Sequence, residues 1–318
     1  MAKETKASKA REALNNCLNW YSTPSEADLD AISQNAYCSR KYAERVGRFE
    51  KGEKIIATSA KQSFLYAKNA IHKRFALGED VIAEDPKYAL AYANEVIRGP
   101  WAKGEDSISQ DAECSLEYAT QVLNGRFYKG EPEILKDSWV ALKYAKEVIE
   151  GEWPEAEEII SESSRSSLEY ARLINCRFEK GENSLLKEPN DAVQYAIEIG
   201  QRFEEAEDKI LNNVSDYLLF RYVEKAIKGR WIKFEEQLLR DNNDYDLASY
   251  ATSLAESGAE VPEEIHNRVL AQGMIDKEFA EDYLDAKKNS EIRKKLDLVK
   301  HLSFEELEKI INNNQVLV

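Results

Sequence analysis

A tyrosine returns along this chain at a nearly fixed interval, and that recurrence limits the folds open to it. The series is Tyr42, Tyr66, Tyr92, Tyr118, Tyr144, Tyr170, Tyr195, Tyr222 and Tyr250, with gaps of 24, 26, 26, 26, 26, 25, 27 and 28 residues. Alanine follows each tyrosine except Tyr222, which Val223 follows. Self-similarity at such a period marks an array of small supersecondary units, each covering its neighbour's apolar face.

A second landmark sits in each unit: Phe49, Phe75, Trp101, Phe127, Trp153, Phe178, Phe203 and Trp231. Four residues after each comes a glutamate: Glu53, Glu79, Glu105, Glu131, Glu157, Glu182, Glu207 and Glu235. Length changes fall elsewhere, either between tyrosine and aromatic or between glutamate and the next tyrosine.

Around each tyrosine the apolar residues follow helical spacing, as in Ser115, Tyr118, Ala119 and Val122. The position three before the tyrosine is small in seven units (Ser39, Ser63, Ala89, Ser115, Ala141, Ser167 and Ala192). Small side chains there let another helix approach closely. Gly47, Gly99, Gly125, Gly151 and Gly229 are expected to close this first helix in the left-handed conformation. An arginine usually follows, replaced by Pro100 and Glu152 in two corners. A shorter helix then ends on Ile55, Ile82, Ile108, Ile134, Ile160, Leu185, Ile210 or Leu238.

The expected fold is therefore all-α: an α-solenoid of about eight two-helix repeats. An N-terminal helical cap spans 1–36, the array 37–254 and a C-terminal helical module 255–318. The cap contains a helix from Ala7 to Trp20 and a second starting near Pro24. The module contains Pro262–Gln272, Lys277–Lys288, a segment around Glu291–His301, and Ser303–Asn312, which opens with a capping-box pattern.

The structural reading assigns repeat stacking to Tyr92, Tyr118, Tyr144, Tyr170 and Tyr195, to the wedge aromatics Trp101, Phe127, Trp153, Phe178 and Phe203, and to Glu105, Glu131, Glu157, Glu182 and Glu207. The glutamate has two readings: a cap or arginine partner within the stack, or a ladder of carboxylates that binds something. Lys287, Lys288, Arg293, Lys294 and Lys295, with Lys300 nearby, form either a solvated helix face or a docking surface for an acidic partner, a second copy of the chain included.

Net charge is −15, which disfavours direct nucleic-acid binding, since phosphates require clustered cations. An acidic face suits a basic protein partner. Cys17, Cys38, Cys114 and Cys176 have no paired spacing, which argues for a reducing compartment and against zinc. Cys114 and Cys176 read as small buried side chains. His72, His266 and His301 lack partners at helical spacing. No catalytic residue, metal or cofactor is expected, no membrane span is present, and nothing at the start reads as a signal peptide.

The consensus Tyr-Ala-x-x-Val-Ile-x-Gly-Arg-Trp/Phe-x-x-Gly/Ala-Glu-x-x-Ile is best seen from Tyr144 to Ile160. Over roughly residues 37–254 it resembles a short helical repeat found in proteins of tailed bacteriophages and some bacteria. Pro100, Glu152, Cys176 and Phe234 depart from that pattern. The resemblance implies a phage protein acting in the bacterial cytoplasm and names no activity. Three functional readings follow: a non-enzymatic scaffold engaging a host or host-defence protein, a nucleic-acid mimic that blocks a DNA- or RNA-binding defence enzyme, and a structural or virion component. Self-association through the C-terminal module is a further expectation.

Overall fold

A computed structural model describes residues 5–18, 23–241, 243–273 and 277–299. Helices account for the regular structure, and no strand occurs among the described residues. No described helix is long and apolar enough to cross a membrane. The chain divides into two compact units, Met1–Ile160 and Ser161–Val318.

The first unit opens with Lys6–Leu18, which buries Ala10, Ala13, Leu14 and Cys17. Trp20, the expected end of this helix, lies outside the described residues. Glu26–Ile32 follows, and Ser25 with Asp28 forms a reciprocal capping box at its start. Long helices beginning at Ala36, Ala60, Pro86, Ala112 and Ser138 come next, each followed by a short helix. Successive long helices pack side by side, and each also packs on its own short helix. In the second unit the long helices beginning at Ser164, Pro189, Asp216 and Asp244 pack in the same way. Glu263–Gly273 and Lys277–Val299 then cover the helix Asp244–Ser257. Lys277–Val299 is one continuous helix where the sequence pattern suggested two segments. Lys300, His301 and the expected helix Ser303–Asn312 lie outside the described residues.

The long helices start where a short polar side chain stands seven residues before the tyrosine. Asn35, Ser59, Asp85, Asp111, Asp137, Ser163 and Asn243 each accept a hydrogen bond from a first-turn amide. That supplies an acceptor to a donor the helix cannot satisfy internally.

The helix ends differ from expectation. The left-handed residue is not the glycine of Gly99, Gly125, Gly151 or Gly229 but the residue before it: Arg98, Asn124, Glu150 and Lys228. His72 and Asn175 are left-handed too, and among the predicted glycines only Gly47 has positive φ. The frame is set by the aromatic. From His72 onward the left-handed residue stands three before it (His72 and Phe75, Asn175 and Phe178, Lys228 and Trp231), including Gly200 before Phe203.

Spacing explains the rest. Where tyrosine and aromatic are nine residues apart, as from Tyr66 to Phe75, the helix ends in a π turn: Ala67–Ile71, Ala93–Ile97, Tyr118–Leu123, Ala145–Ile149 and Val223–Ile227. Where they are eight apart, Ser164–Ile174 and Pro189–Ile199 run as α-helix throughout. A π turn is a one-residue insertion absorbed inside a helix. The tyrosine and the corner keep their places, and the extra residue is wound in between.

A register correction applies to the first short helix: Ile56, not Ile55, is the fully buried residue. It stands seven after Phe49, as Ile82 stands seven after Phe75.

Candidate partner-binding surface

The repeated side chains meet in a recurring clamp. Tyr66, Tyr92, Tyr118, Tyr144, Tyr195, Tyr222 and Tyr250 each reach back to the corner of the preceding repeat. The Phe127 amide donates to the Tyr144 hydroxyl at 2.7 Å, and that hydroxyl donates to Glu131 at 3.0 Å. Arg126 grips the same carboxylate with two nitrogens, at 2.8 and 2.9 Å. The arrangement recurs with Arg48, Glu53 and Tyr66, with Arg74, Glu79 and Tyr92, with Arg177, Glu182 and Tyr195, with Arg202, Glu207 and Tyr222, and with Arg230, Glu235 and Tyr250. At Pro100 the guanidinium is missing, and Glu105 still accepts from Tyr118 at 3.0 Å. A fork-shaped cation on a carboxylate is among the stronger polar contacts.

The aromatic ring itself packs on the tyrosine of its own helix. Tyr118 and Phe127 stand 4.9 Å apart edge-on, and Tyr66 and Phe75 4.8 Å. Its backbone, not its ring, meets the next repeat's tyrosine hydroxyl.

These phenols are fully buried, and their acidity shows it. Burial first, then the adjacent glutamate, pushes the Tyr66 and Tyr118 hydroxyls up to about 12. The folded chain thus resists an ionisation that the unfolded chain undergoes near pH 10. Stability from these groups is complete below about pH 10 and is lost as pH rises towards about 12. Urea midpoints followed by circular dichroism should therefore fall steadily above about pH 10. A flat profile to pH 12 would contradict burial of the phenols.

A second row lies in solvent. Lys51 pairs with Glu26 and Asp30, Lys103 with Asp80, Lys129 with Asp106 and Lys233 with Asp208. Each lysine stands two after its aromatic. Exposed pairs of this kind add little stability, but they draw carboxylates out of any free acidic row.

What the repeats leave over is a groove in the second unit. It has a volume of about 510 Å³ and lies among Asp216–Tyr222, Asp244–Ser257 and Lys277–Val299. Tyr217, Phe220, Arg221, Tyr245, Thr252 and Asp282 line it, with Glu224 and Ser253. Tyr217 and Tyr245 are 68% and 70% exposed, an unusual state for aromatic side chains in a folded chain. Both stand five residues before a clamp tyrosine, so helix packing brings them to neighbouring places. Sequence reading passed over them because they resemble the buried tyrosines in type. The distinguishing signal was their place on the polar side of the helix.

The expected basic docking residues are only partly available. Lys287 is half-buried with its Nζ 3.5 Å from His266 Nε2, while Lys288, Arg293 and Lys294 are exposed. The side chain of Lys295 lies outside the described residues. His266 Nδ1 lies 2.6 Å from the Tyr283 hydroxyl. Cys17, Cys38 and Cys114 are buried as small apolar side chains, but Cys176 is exposed, because it follows the left-handed Asn175 in the surface turn. Among the described residues no cluster of His, Cys, Asp and Glu is arranged to hold a metal ion.

Comparison with protein families, curated proteins and solved structures finds no match for this chain.

Proposed function

We propose that the chain is a non-enzymatic protein-binding scaffold of α-solenoid type, which engages a basic protein partner. Neighbour-to-neighbour packing of the long helices within each unit supports the solenoid reading. The observation that carries the functional reading is how the carboxylates are used. Glu79, Glu207 and Glu235 are buried in clamps, and Asp80, Asp106 and Asp208 are paired with lysines. The most regular acids therefore serve the stack, which weakens the reading of a phosphate-like ladder. Recognition falls to the side chains that vary from repeat to repeat, on a chain of net charge −15.

By its repeat pattern, the setting proposed is an accessory protein of a tailed phage, acting in the host cytoplasm on a host or host-defence protein. The test is affinity capture on the immobilised full chain from phage-infected bacterial lysate. A stoichiometric protein released by salt is expected. Recovery of nucleic acid, or of no protein in stoichiometric yield, would contradict the reading.

A further inference from the structure

We propose that a basic groove between two neighbouring corners of the first unit binds a diphosphate group. This goes beyond the protein-binding reading and does not rest on it.

The groove has a volume of about 390 Å³, and its polar lining is Lys68, His72, Lys73, Arg74, Glu95 and Arg98. It forms where the π turns Ala67–Ile71 and Ala93–Ile97 pack on each other. That packing sets the corner at 72–74 beside the corner at 98.

The first observation is a local charge imbalance, opposite in sign to the net −15 of the chain. Two of the cations are already matched. Lys68 pairs with Glu95, and Arg74 gives Nε and Nη2 to Glu79 at 2.8 and 3.0 Å. The side chains of His72, Lys73 and Arg98 have no hydrogen-bond or ion-pair partner among the described residues. Lys73 is within electrostatic reach of Glu53, but Arg48 holds that carboxylate with two nitrogens. Lys73 and Arg98 therefore bring uncompensated positive charge to one groove. Acids elsewhere on the chain oppose an anion there only weakly, because the screening length at physiological salt is about 8 Å.

The second observation is that the stack does not call for these residues. The place three before the aromatic holds Asn124, Glu150, Asn175 and Gly200 in other repeats, and the next place holds Gly125, Gly151, Cys176 and Gln201. The dipole favours a cation near a helix C-terminus, yet those corners do without one. His72 and Arg98 both hold the left-handed conformation, at φ 51° and 60°, which glycine or asparagine adopts at less cost. Among the eight repeats, only these two neighbours both carry a basic residue at that place, and only Lys73 puts a charge at the place after it.

The donors identify the ligand. A guanidinium and an ammonium only donate hydrogen bonds, and here they come from two separate corners. A single carboxylate offers two oxygens in one plane. A diphosphate offers more oxygens on two tetrahedra, carries more charge, and can meet donors from both corners at once. No tyrosine, phenylalanine or tryptophan lines the groove, so no such ring stacks a nucleobase, and the phosphates themselves are what is recognised. The volume falls within the range of ordinary small-ligand sites.

The experiment titrates the full chain with inorganic pyrophosphate by calorimetry at fixed ionic strength. Citrate serves as a polycarboxylate, and a single-stranded oligonucleotide as a nucleic-acid source of phosphate. Pyrophosphate is expected to bind one to one and more tightly than either. The double variant Lys73→Gly with Arg98→Asn should weaken it by about tenfold or more. Other repeats carry those residues at the same places, as Gly125 and Asn124, so the corners keep their shape. Arg98→Gln alone should weaken binding in the same direction. Lys129→Gln, which alters a lysine of the same unit paired with Asp106 outside the groove, should leave it unchanged.

Equal binding by the wild type and the double variant would overturn the proposal, as would no binding to the wild type. Citrate bound as tightly as pyrophosphate would make this a carboxylate site, and tighter binding of the oligonucleotide would make it a nucleic-acid contact; either result overturns it. An equal loss in Lys129→Gln would mean diffuse attraction to surface cations, and would overturn it too.

Discussion

Tyr144→Phe is expected to destabilise the first unit by about 2–3 kcal/mol, although it removes a single oxygen. The ring stays, and with it the packing on Trp153 at 4.9 Å between centroids. What is lost is the hydroxyl that accepts from the Phe127 amide and donates to Glu131. Phe127 sits in a corner, outside any helical ladder, so its N–H is left buried without an acceptor. A buried donor stranded in this way costs roughly 1–3 kcal/mol, and the lost bond to a charged acceptor adds to it. Arg126 keeps its grip on Glu131, which limits the damage. The control is Tyr128→Phe, an exposed ring of the same unit, where a change within about 0.5 kcal/mol is expected. Urea denaturation measures both. A cost for Tyr144→Phe no larger than the control would remove the clamp from the account.

Gly130→Ala is the second large effect, at about 1–3 kcal/mol of destabilisation. A Cβ built at Gly130 would stand 2.5 Å from Ser115 Oγ and 2.6 Å from both Ser115 Cβ and Phe127 Cδ1. Atoms do not approach so closely, so the short helix must lift from the long one. The sequence records the same constraint. Ser39 goes with Gly52, Ser63 with Gly78 and Ser167 with Gly181, whereas Ala141 goes with Ala156 and Ala192 with Ala206. Ala89 with Gly104 is the loose case, and there the Cβ would still meet Ala89 Cβ at 3.1 Å and Trp101 at 2.5 Å. Ser115→Ala should therefore recover part of the loss, and the double variant should be milder than the sum by about 1 kcal/mol. Full recovery is not expected, because the Ser115 hydroxyl also donates to the Ile108 carbonyl at 3.0 Å. Strict additivity in the cycle would mean that the two residues do not share one contact.

The all-α fold class was legible before any coordinates. Tyrosine spacing and the invariant step from aromatic to glutamate identified the repeat, because both report backbone periodicity. Some signals were present and passed over. The cap residue seven before each tyrosine is Asn, Ser or Asp in most units, and it marks every long-helix start. The nine-residue against eight-residue step from tyrosine to aromatic encodes the π turn.

Other features were out of reach. Glycine preference placed the left-handed residue one position late in four repeats, because a glycine beside the turn looks the same in sequence as one at its apex. The arginine partner of each glutamate was among the expectations, but its tyrosine partner depends on how the next helix lies across the corner, which composition does not specify. The groove was least visible of all. Tyr217 and Tyr245 could be told from the clamp tyrosines by their place five residues earlier on the helix, but the groove they line depends on how three helices pack.

Within each unit, the central claim is that a repeat's tyrosine seals the corner amide of the repeat before it, as Tyr144 does for Phe127. Amide hydrogen exchange on the full chain measures this directly. The Phe75, Phe127, Phe178 and Trp231 amides donate to Tyr92, Tyr144, Tyr195 and Tyr250 at 2.9, 2.7, 2.9 and 3.0 Å. They should exchange as slowly as amides inside the flanking helices, and in Tyr144→Phe only the Phe127 amide should quicken sharply. Exchange of these corner amides at the rate of exposed loop amides in the unaltered chain would contradict the account.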